Sequence, residues 1–180
     1  MRRVLYILGQ LTDQDADWLA GVGSRRQLRA GDILVRQGSQ LDELYIVLDG
    51  EMSILSANNR EIARVGVGDM LGEMSFVDDS PASASVRALG AVLVLAVPQA
   101  QIAARMADDP AFAARFYKAI AVFLADRLRG ALARFGYGEA ADDGADAAGL
   151  LRAGELDGQV MDNLHLAGSR FERLLQRLMG

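Results

Sequence analysis

Residues 24–97 run in short apolar stretches cut by glycine, whereas from Pro98 onward apolar residues recur at every third or fourth position. In the first zone the pattern predicts strands at 27–29, 33–36, 44–48, 52–56, 61–65, 83–88 and 92–97, punctuated by Gly31, Gly38, Gly50, Gly66, Gly68, Gly72 and Gly90. Short strands about ten residues apart with glycine turns predict an antiparallel barrel or sandwich, and the pattern alone does not separate the two. Ahead of them Thr12 is an N-cap candidate, acidic residues occupy the first turn, and Trp18 and Leu19 follow, which predicts a short helix over 12–21.

Pro98 closes the strand zone and suits the first turn of a helix over 98–106. Asp108, Asp109 and Pro110 then start a longer helix ending near Arg134, with Phe112, Phe116, Ile120, Phe123, Leu124, Leu128, Ala131, Leu132 and Phe135 at helical spacing. Such a helix is about 37 Å long, more than a small β domain needs for its own cover. Phe116, Ile120, Phe123, Leu124 and Leu128 are therefore expected to form the dimer interface of a homodimer. Gly136, Tyr137 and Gly138 end the helix, and the acidic, small-residue run 139–149 reads as a linker. Leu164, Leu166, Phe171, Leu174, Leu175 and Leu178 predict an amphipathic helix over 163–179. The chain thus divides into a domain at 1–135 and an acidic linker with helical tail at 136–180.

Composition narrows the chemistry. With 51% hydrophobic residues in 180, a core forms and global disorder is excluded. No cysteine means no disulfide, thiolate metal site or cysteine nucleophile. The single histidine, His165, argues against a histidine-rich metal site or a serine–histidine triad and reads as a surface or packing residue. Asp142, Asp143 and Asp146 lack calcium-loop spacing. No acid–base pair, nucleophile elbow or P-loop stands out, so the chain is expected not to be an enzyme and to carry no metal or resident cofactor. The apolar run from Val4 to Leu8 is too short for a signal peptide, and no stretch reaches the about 18 apolar residues of a membrane span, so a cytoplasmic protein without a membrane partner is expected. The net charge is −5, and residues 139–180 hold four arginines against eight acids. A DNA-reading helix needs a basic face, so no DNA partner is expected.

Residues 68–88, GDMLGEMSFVDDSPASASVRA, concentrate the remaining chemistry. A short strand runs into Gly72, a carboxylate follows at Glu73, and a compact turn holds Asp78, Asp79, Ser80 and Pro81. Ala82, Ser83, Ala84 and Ser85 lead back into a strand. Small residues let backbone N–H groups come close to a ligand, and amides beside hydroxyls form anion nests. Glu73 would repel a phosphate but accept hydrogen bonds from a sugar hydroxyl. A phosphate nest beside a carboxylate describes a nucleotide site with two handles. The plainer reading, Glu73 as a solvated turn residue and Ser83 and Ser85 as small strand residues, stays open at this point.

Over roughly residues 12–134 the chain resembles the cyclic-nucleotide-binding domain family. The likeness is carried by Gly31-Asp32, Gln37-Gly38, the stretch LYIVLDG at 44–50, Gly66 with Gly68-Asp69, the cassette Gly72-Glu73-Met74-Ser75 and the long helix beyond. The resemblance implies an α+β, mainly β fold: a jelly-roll β-roll with an N-terminal helix, a long C-terminal helix of the dimerisation type and a short helical tail. It implies a ligand-binding set of Gly72, Glu73, Met74, Ser83, Ala84 and Ser85, with Glu73 on the ribose 2′-hydroxyl and Gly72, Ser83 and Ala84 on the cyclic phosphate. The implied ligand is cyclic AMP, cyclic GMP or cyclic di-GMP.

The cassette departs from the family at one position. Family members continue Pro-Arg-Ala/Ser-Ala, the arginine pairing the phosphate; here the residues are Pro81-Ala82-Ser83-Ala84. Charge-assisted bonds contribute about 1.5–3 kcal/mol each. Since about 1.4 kcal/mol is tenfold in affinity, the loss is expected to cost about a hundredfold. Arg87, further along the same strand, and Arg64, on a neighbouring one, are the candidate substitutes, though Arg87 reads as a surface residue on the outer face. In members of the catabolite-activator type, hydroxyls midway along the long helix reach adenine, whereas residues 129–132 here read Arg-Gly-Ala-Leu. Two functions follow. One is a stand-alone sensor of a cyclic mono- or dinucleotide that signals to a protein partner through the tail, favoured by Gly72-Glu73. The other is a ligand-independent dimerisation or docking module with a degenerate cassette, favoured by Ala82.

Overall fold

The structure, a computed structural model, describes residues 8–134 and 158–179. Thr12 starts α1 (Asp13–Val22) with a capping box: its Oγ1 accepts from the Asp15 N–H at 3.2 Å, and Asp15 Oδ2 accepts from the Thr12 N–H at 2.9 Å. Eight strands follow: β1 (Ser24–Leu28), β2 (Ile33–Val35), β3 (Glu43–Asp49), β4 (Met52–Leu55), β5 (Glu61–Val65), β6 (Met70–Leu71), β7 (Ser85–Ala88) and β8 (Val92–Pro98). They form two four-stranded antiparallel sheets, ordered β1-β8-β3-β6 and β2-β7-β4-β5. This is the mainly β roll with added helices that the resemblance implied.

The near-continuous apolar runs of β3 and β8 have a direct cause. Leu44, Ile46 and Leu48 of β3, with Leu95 and Val97 of β8, are buried in a cluster shared with the helices. The alternate residues Tyr45 and Val47, with Val92, Val94 and Ala96, are buried between the two sheets. Successive strand residues point to opposite faces, so a strand packed on both faces is apolar throughout.

One element was absent from the expected set. The short strand read as running into Gly72 is β6, two residues long, whereas α2 (Glu73–Asp78) occupies the stretch between that strand and the turn expected from Asp78. The strand expected at 83–88 begins at Ser85, because Ala82 pairs with the loop after β2 instead: Gly38 N–H donates to the Ala82 carbonyl at 2.8 Å and Ala82 N–H to the Ser39 carbonyl at 2.9 Å. Beyond β8 come α3 (Gln99–Asp108), α4 (Pro110–Arg134) and α5 (Gly158–Met179). The linker with Asp142, Asp143 and Asp146 and the stop at Gly136–Gly138 lie outside the described residues, as does the side chain of His165. No helix among the described residues is long and apolar enough to cross a membrane.

The stripe of α4 faces its own chain. Phe112, Phe116, Ala119, Ile120 and Phe123 are buried with Leu8, Leu11 and Leu19 and with Ala167 and Leu174 of α5. Ring contacts tie Trp18 to Phe112 at 5.6 Å, Phe112 to Phe116 at 5.4 Å and Phe76 to Phe116 at 5.8 Å. Of the residues expected at a dimer interface, Phe116, Ile120 and Phe123 are buried within the chain itself. Leu124 packs half-buried against the same cluster, and only Leu128, 61% exposed, stands free of it.

One buried carboxylate locks the helices together. Asp15 accepts from Arg105 Nη2 at 2.7 Å and from Arg115 Nε at 2.8 Å and Nη2 at 3.2 Å, joining α1 to α3 and α4. The Arg105 guanidinium lies over the rings of Trp18 and Phe112, at 4.6 and 4.1 Å. Burial alone would raise the Asp15 pKa, but the hydrogen bonds from Arg115 and Thr12 outweigh it and hold the carboxyl below its ordinary 3.8. A depressed carboxylate stabilises the fold above its unfolded pKa, and that contribution disappears as pH falls through the folded value. Asp15→Asn is expected to lose about 3 kcal/mol in urea unfolding at neutral pH. Its stability should also fall less steeply than the parent's below pH 3.8. Matching acid limbs in the two proteins would show that Asp15 is not the group responsible.

Candidate ligand-binding site

The site forms where β6 hands over to α2. Gly72 makes the turn at φ +84°, and a Cβ there would sit 3.1 Å from the Glu43 carbonyl oxygen of β3. Glycine meets both demands, a left-handed backbone and close approach to a neighbouring strand. The next residue, Glu73, opens α2, and the chain returns through Pro81 to Ala82, Ser83 and Ala84 before entering β7. Between these segments is a cavity of about 70 Å³. Val35, Ile54, Leu71 and Val86 give it apolar walls, Gly72–Ser75 and Ala82–Ala84 frame it, and Arg127 of α4 closes it.

Arg127 and Glu73 set its electrostatics. Arg127 Nη1 donates to Glu73 Oε1 at 2.6 Å, and the Glu73 side chain is 3% exposed. Burial pushes the Glu73 carboxyl above its usual range, and the Arg127 charge pulls it back only in part. The Arg127 guanidinium lies 4.7 Å from the centre of the Phe123 ring. Its second terminal nitrogen, Nη2, is buried and has no hydrogen-bond partner among the described residues. The site therefore holds a buried acceptor, a cation with an unused donor, and small residues that leave room.

Of the six residues expected to bind ligand, Gly72, Glu73, Met74, Ser83 and Ala84 line this one cavity, Met74 with 49% of its surface exposed. Ser85 does not: its Oγ accepts from the Gln37 N–H at 2.9 Å and fastens β7 to the loop after β2. The two arginines considered as substitutes, Arg87 and Arg64, lie elsewhere. Arg87 and Arg64 both sit opposite Ser53 in the register, on the sheet face away from Val86, and Arg64 pairs with Glu61 at 2.8 Å. Residues 129–132 do not line the cavity. Arg127 was missed in the sequence. Its signal was positional: it continues the spacing of Phe116, Ile120 and Phe123, so a charge falls on the buried stripe of a helix.

Residues 25–109 match the family model of the cyclic nucleotide-binding domain. This part of the chain belongs to that family. It is similar to a cAMP-dependent protein kinase regulatory subunit of Debaryomyces hansenii, 28% identical over 52% of this chain and 22% of the relative. Among solved structures, a cyclic nucleotide-binding domain from Methylobacillus flagellatus matches with TM-score 0.67 and 22% identity, covering 73% of this chain and 80% of that one. The N-terminal domain of a transcriptional regulator from Streptomyces coelicolor matches with TM-score 0.57 and 28% identity, covering 81% and 99%. The chain spans between a tenth and about a third of the length of the curated relatives it matches.

Gly72 is the residue on which the cavity floor turns. Gly72→Ala is expected to cost about 1–3 kcal/mol in urea unfolding, from left-handed backbone strain and crowding against Glu43. Unchanged stability would mean that the turn relaxes to another conformation.

Proposed function

We propose that this protein is a regulatory module that senses a cyclic nucleotide, cyclic AMP, cyclic GMP or cyclic di-GMP, and signals to a protein partner. The observation that carries this reading is Glu73, a buried carboxylate facing a cavity framed by the small residues Ala82–Ala84 and closed by an arginine with an unused donor. A ribose hydroxyl would donate to Glu73, and the phosphate would lie against the 82–84 backbone. At about 70 Å³ the cavity is small. Small-molecule sites occupy about 300–1,000 Å³. Ligand entry on this reading requires Arg127 to leave Glu73 and the end of α4 to swing outward, which couples occupancy to the helix. The tail net charge and the absence of a catalytic constellation in the sequence support binding and signalling rather than DNA reading or catalysis.

The second reading, docking without ligand, draws on Ala82. It lies on the cavity wall where the family has arginine, and no strand arginine reaches the same space. Leu128 and Leu132, 61% and 43% exposed one turn apart on α4, are the surface this reading would use for a homodimer.

Calorimetry of the purified protein separates the two. Heat is expected from at least one of cyclic AMP, cyclic GMP and cyclic di-GMP, and Glu73→Ala should abolish it. Ala82→Arg, which restores the phosphate partner, should tighten binding by about tenfold or more. No heat from any of the three at millimolar concentration would sink the sensor reading. On the docking reading, light scattering should show a dimer that Leu128→Asp converts to monomer; an unchanged mass removes that seam.

A further inference from the structure

The tail helix is seated on the chain itself. α5 packs along α1, and its arginines meet that helix's aspartates. Arg170 Nε donates to Asp13 Oδ1 at 2.6 Å, and its Nη1 to the Leu8 carbonyl at 3.0 Å. Arg173 lies 3.5 Å from Asp13 and 3.3 Å from Asp17, and Arg177 Nη1 donates to the Asp17 carbonyl at 3.2 Å. Arginines three and four residues apart thus face aspartates four apart, an arrangement that sets the register of one helix on the other. Beneath this ladder Ala167 and Leu174 are buried, and Phe171, Leu175 and Leu178 pack against the helical cluster.

That same cluster contains Phe116, Ile120 and Phe123 of α4, and Phe123 supports the Arg127 guanidinium. One continuous set of contacts therefore leads from Glu73 through Arg127 and Phe123 into the seat of α5. The ladder is partly exposed, so each ion pair contributes little and is screened by salt. The apolar seat decides whether α5 stays, and it belongs to the same cluster into which α4 packs.

We propose that α5 is the output element of this domain: a latched helix whose seat, on α1 and on the cluster that α4 shares, loosens when Arg127 leaves Glu73. The proposal rests on the nucleotide reading, since the ligand is what separates that pair in the cell. Released α5 presents a row of arginines beside an apolar stripe. The partner it fits is a helical protein surface carrying carboxylates one turn apart, the chemistry that Asp13 and Asp17 offer it in the closed chain.

The sequence holds no cysteine, so the full chain accepts a spin-label pair at Gln14→Cys on α1 and Glu172→Cys on α5, both exposed positions. Without ligand, one short interspin distance is expected. Glu73→Gln, which keeps the side-chain shape and removes the charge, should add a longer-distance population, and 0.5 M salt should enlarge it, about a threefold or greater excess of counterions over physiological conditions. An unchanged distance in Glu73→Gln, with the variant folded by circular dichroism, overturns the proposal. Cyclic AMP that binds by calorimetry yet leaves the distance unmoved overturns it as well. If cyclic AMP gives no heat while Glu73→Gln still frees α5, the latch stands and the nucleotide reading for that ligand fails. A second variant works from the other end: Asp13→Arg, which sets like charges against Arg170 and Arg173 and so weakens the latch, should by reciprocity tighten nucleotide binding, by up to about fivefold. Equal affinity in Asp13→Arg and the parent would count against the coupling.

Discussion

Leu44, Ile46 and Leu48 press on the helices while Tyr45 and Val47 press on the second sheet, and β8 repeats the arrangement with Leu95 and Val97 against Val94 and Ala96. The β1-β8-β3-β6 sheet thus has apolar packing on both sides, and everything else is placed by it. One face, with the second sheet, encloses the inter-sheet core on which the cavity opens. The other holds α1, α3 and α4 in a single helical cluster. Because packed interiors resist small displacements, a shift of α4 is not absorbed locally but passed to the residues it touches.

Two of the buried carboxylates pair with arginines and differ in how fully they are satisfied. Asp15 accepts from Thr12, Arg105 and Arg115, and its carboxyl is held below the ordinary range. Glu73 pairs with Arg127, and burial keeps its carboxyl above that range. The first arrangement is a structural lock. The second is an acceptor that is costly to keep charged and can exchange its partner, which suits a binding residue. Arg127 is correspondingly under-satisfied, with a buried nitrogen that lacks a partner among the described residues.

The missing cassette arginine and the small cavity bear on the same question from two sides. Ala82 removes a cation that the family places at the phosphate, while Arg127 brings one to the cavity from a different element. A helix-borne arginine moves with its helix, whereas a strand-borne one stays with the sheet. On the proposed reading, recognition through α4 makes ligand contact and helix position a single event, and α5, resting on the same cluster, inherits the consequence.

The strand zone, the helical zone, the Thr12 cap and the Gly72-Glu73 cassette were legible in the sequence because each rests on local rules: turn glycines, apolar period and side-chain capping. The six-residue α2 was not, since an element that short has no period to read and exists only through its neighbours. Nor could spacing show that Phe116, Ile120 and Phe123 are covered by the chain's own helices, because an apolar stripe looks the same whichever surface buries it. By itself the sequence determined the kind of fold, the place of the carboxylate and the absence of the phosphate arginine. Only the tertiary structure decided that Arg127 meets Glu73 across 54 positions of chain and that α5 lies on α1. Pairings so distant in sequence depend on how whole sheets and helices stack, and no local pattern encodes that.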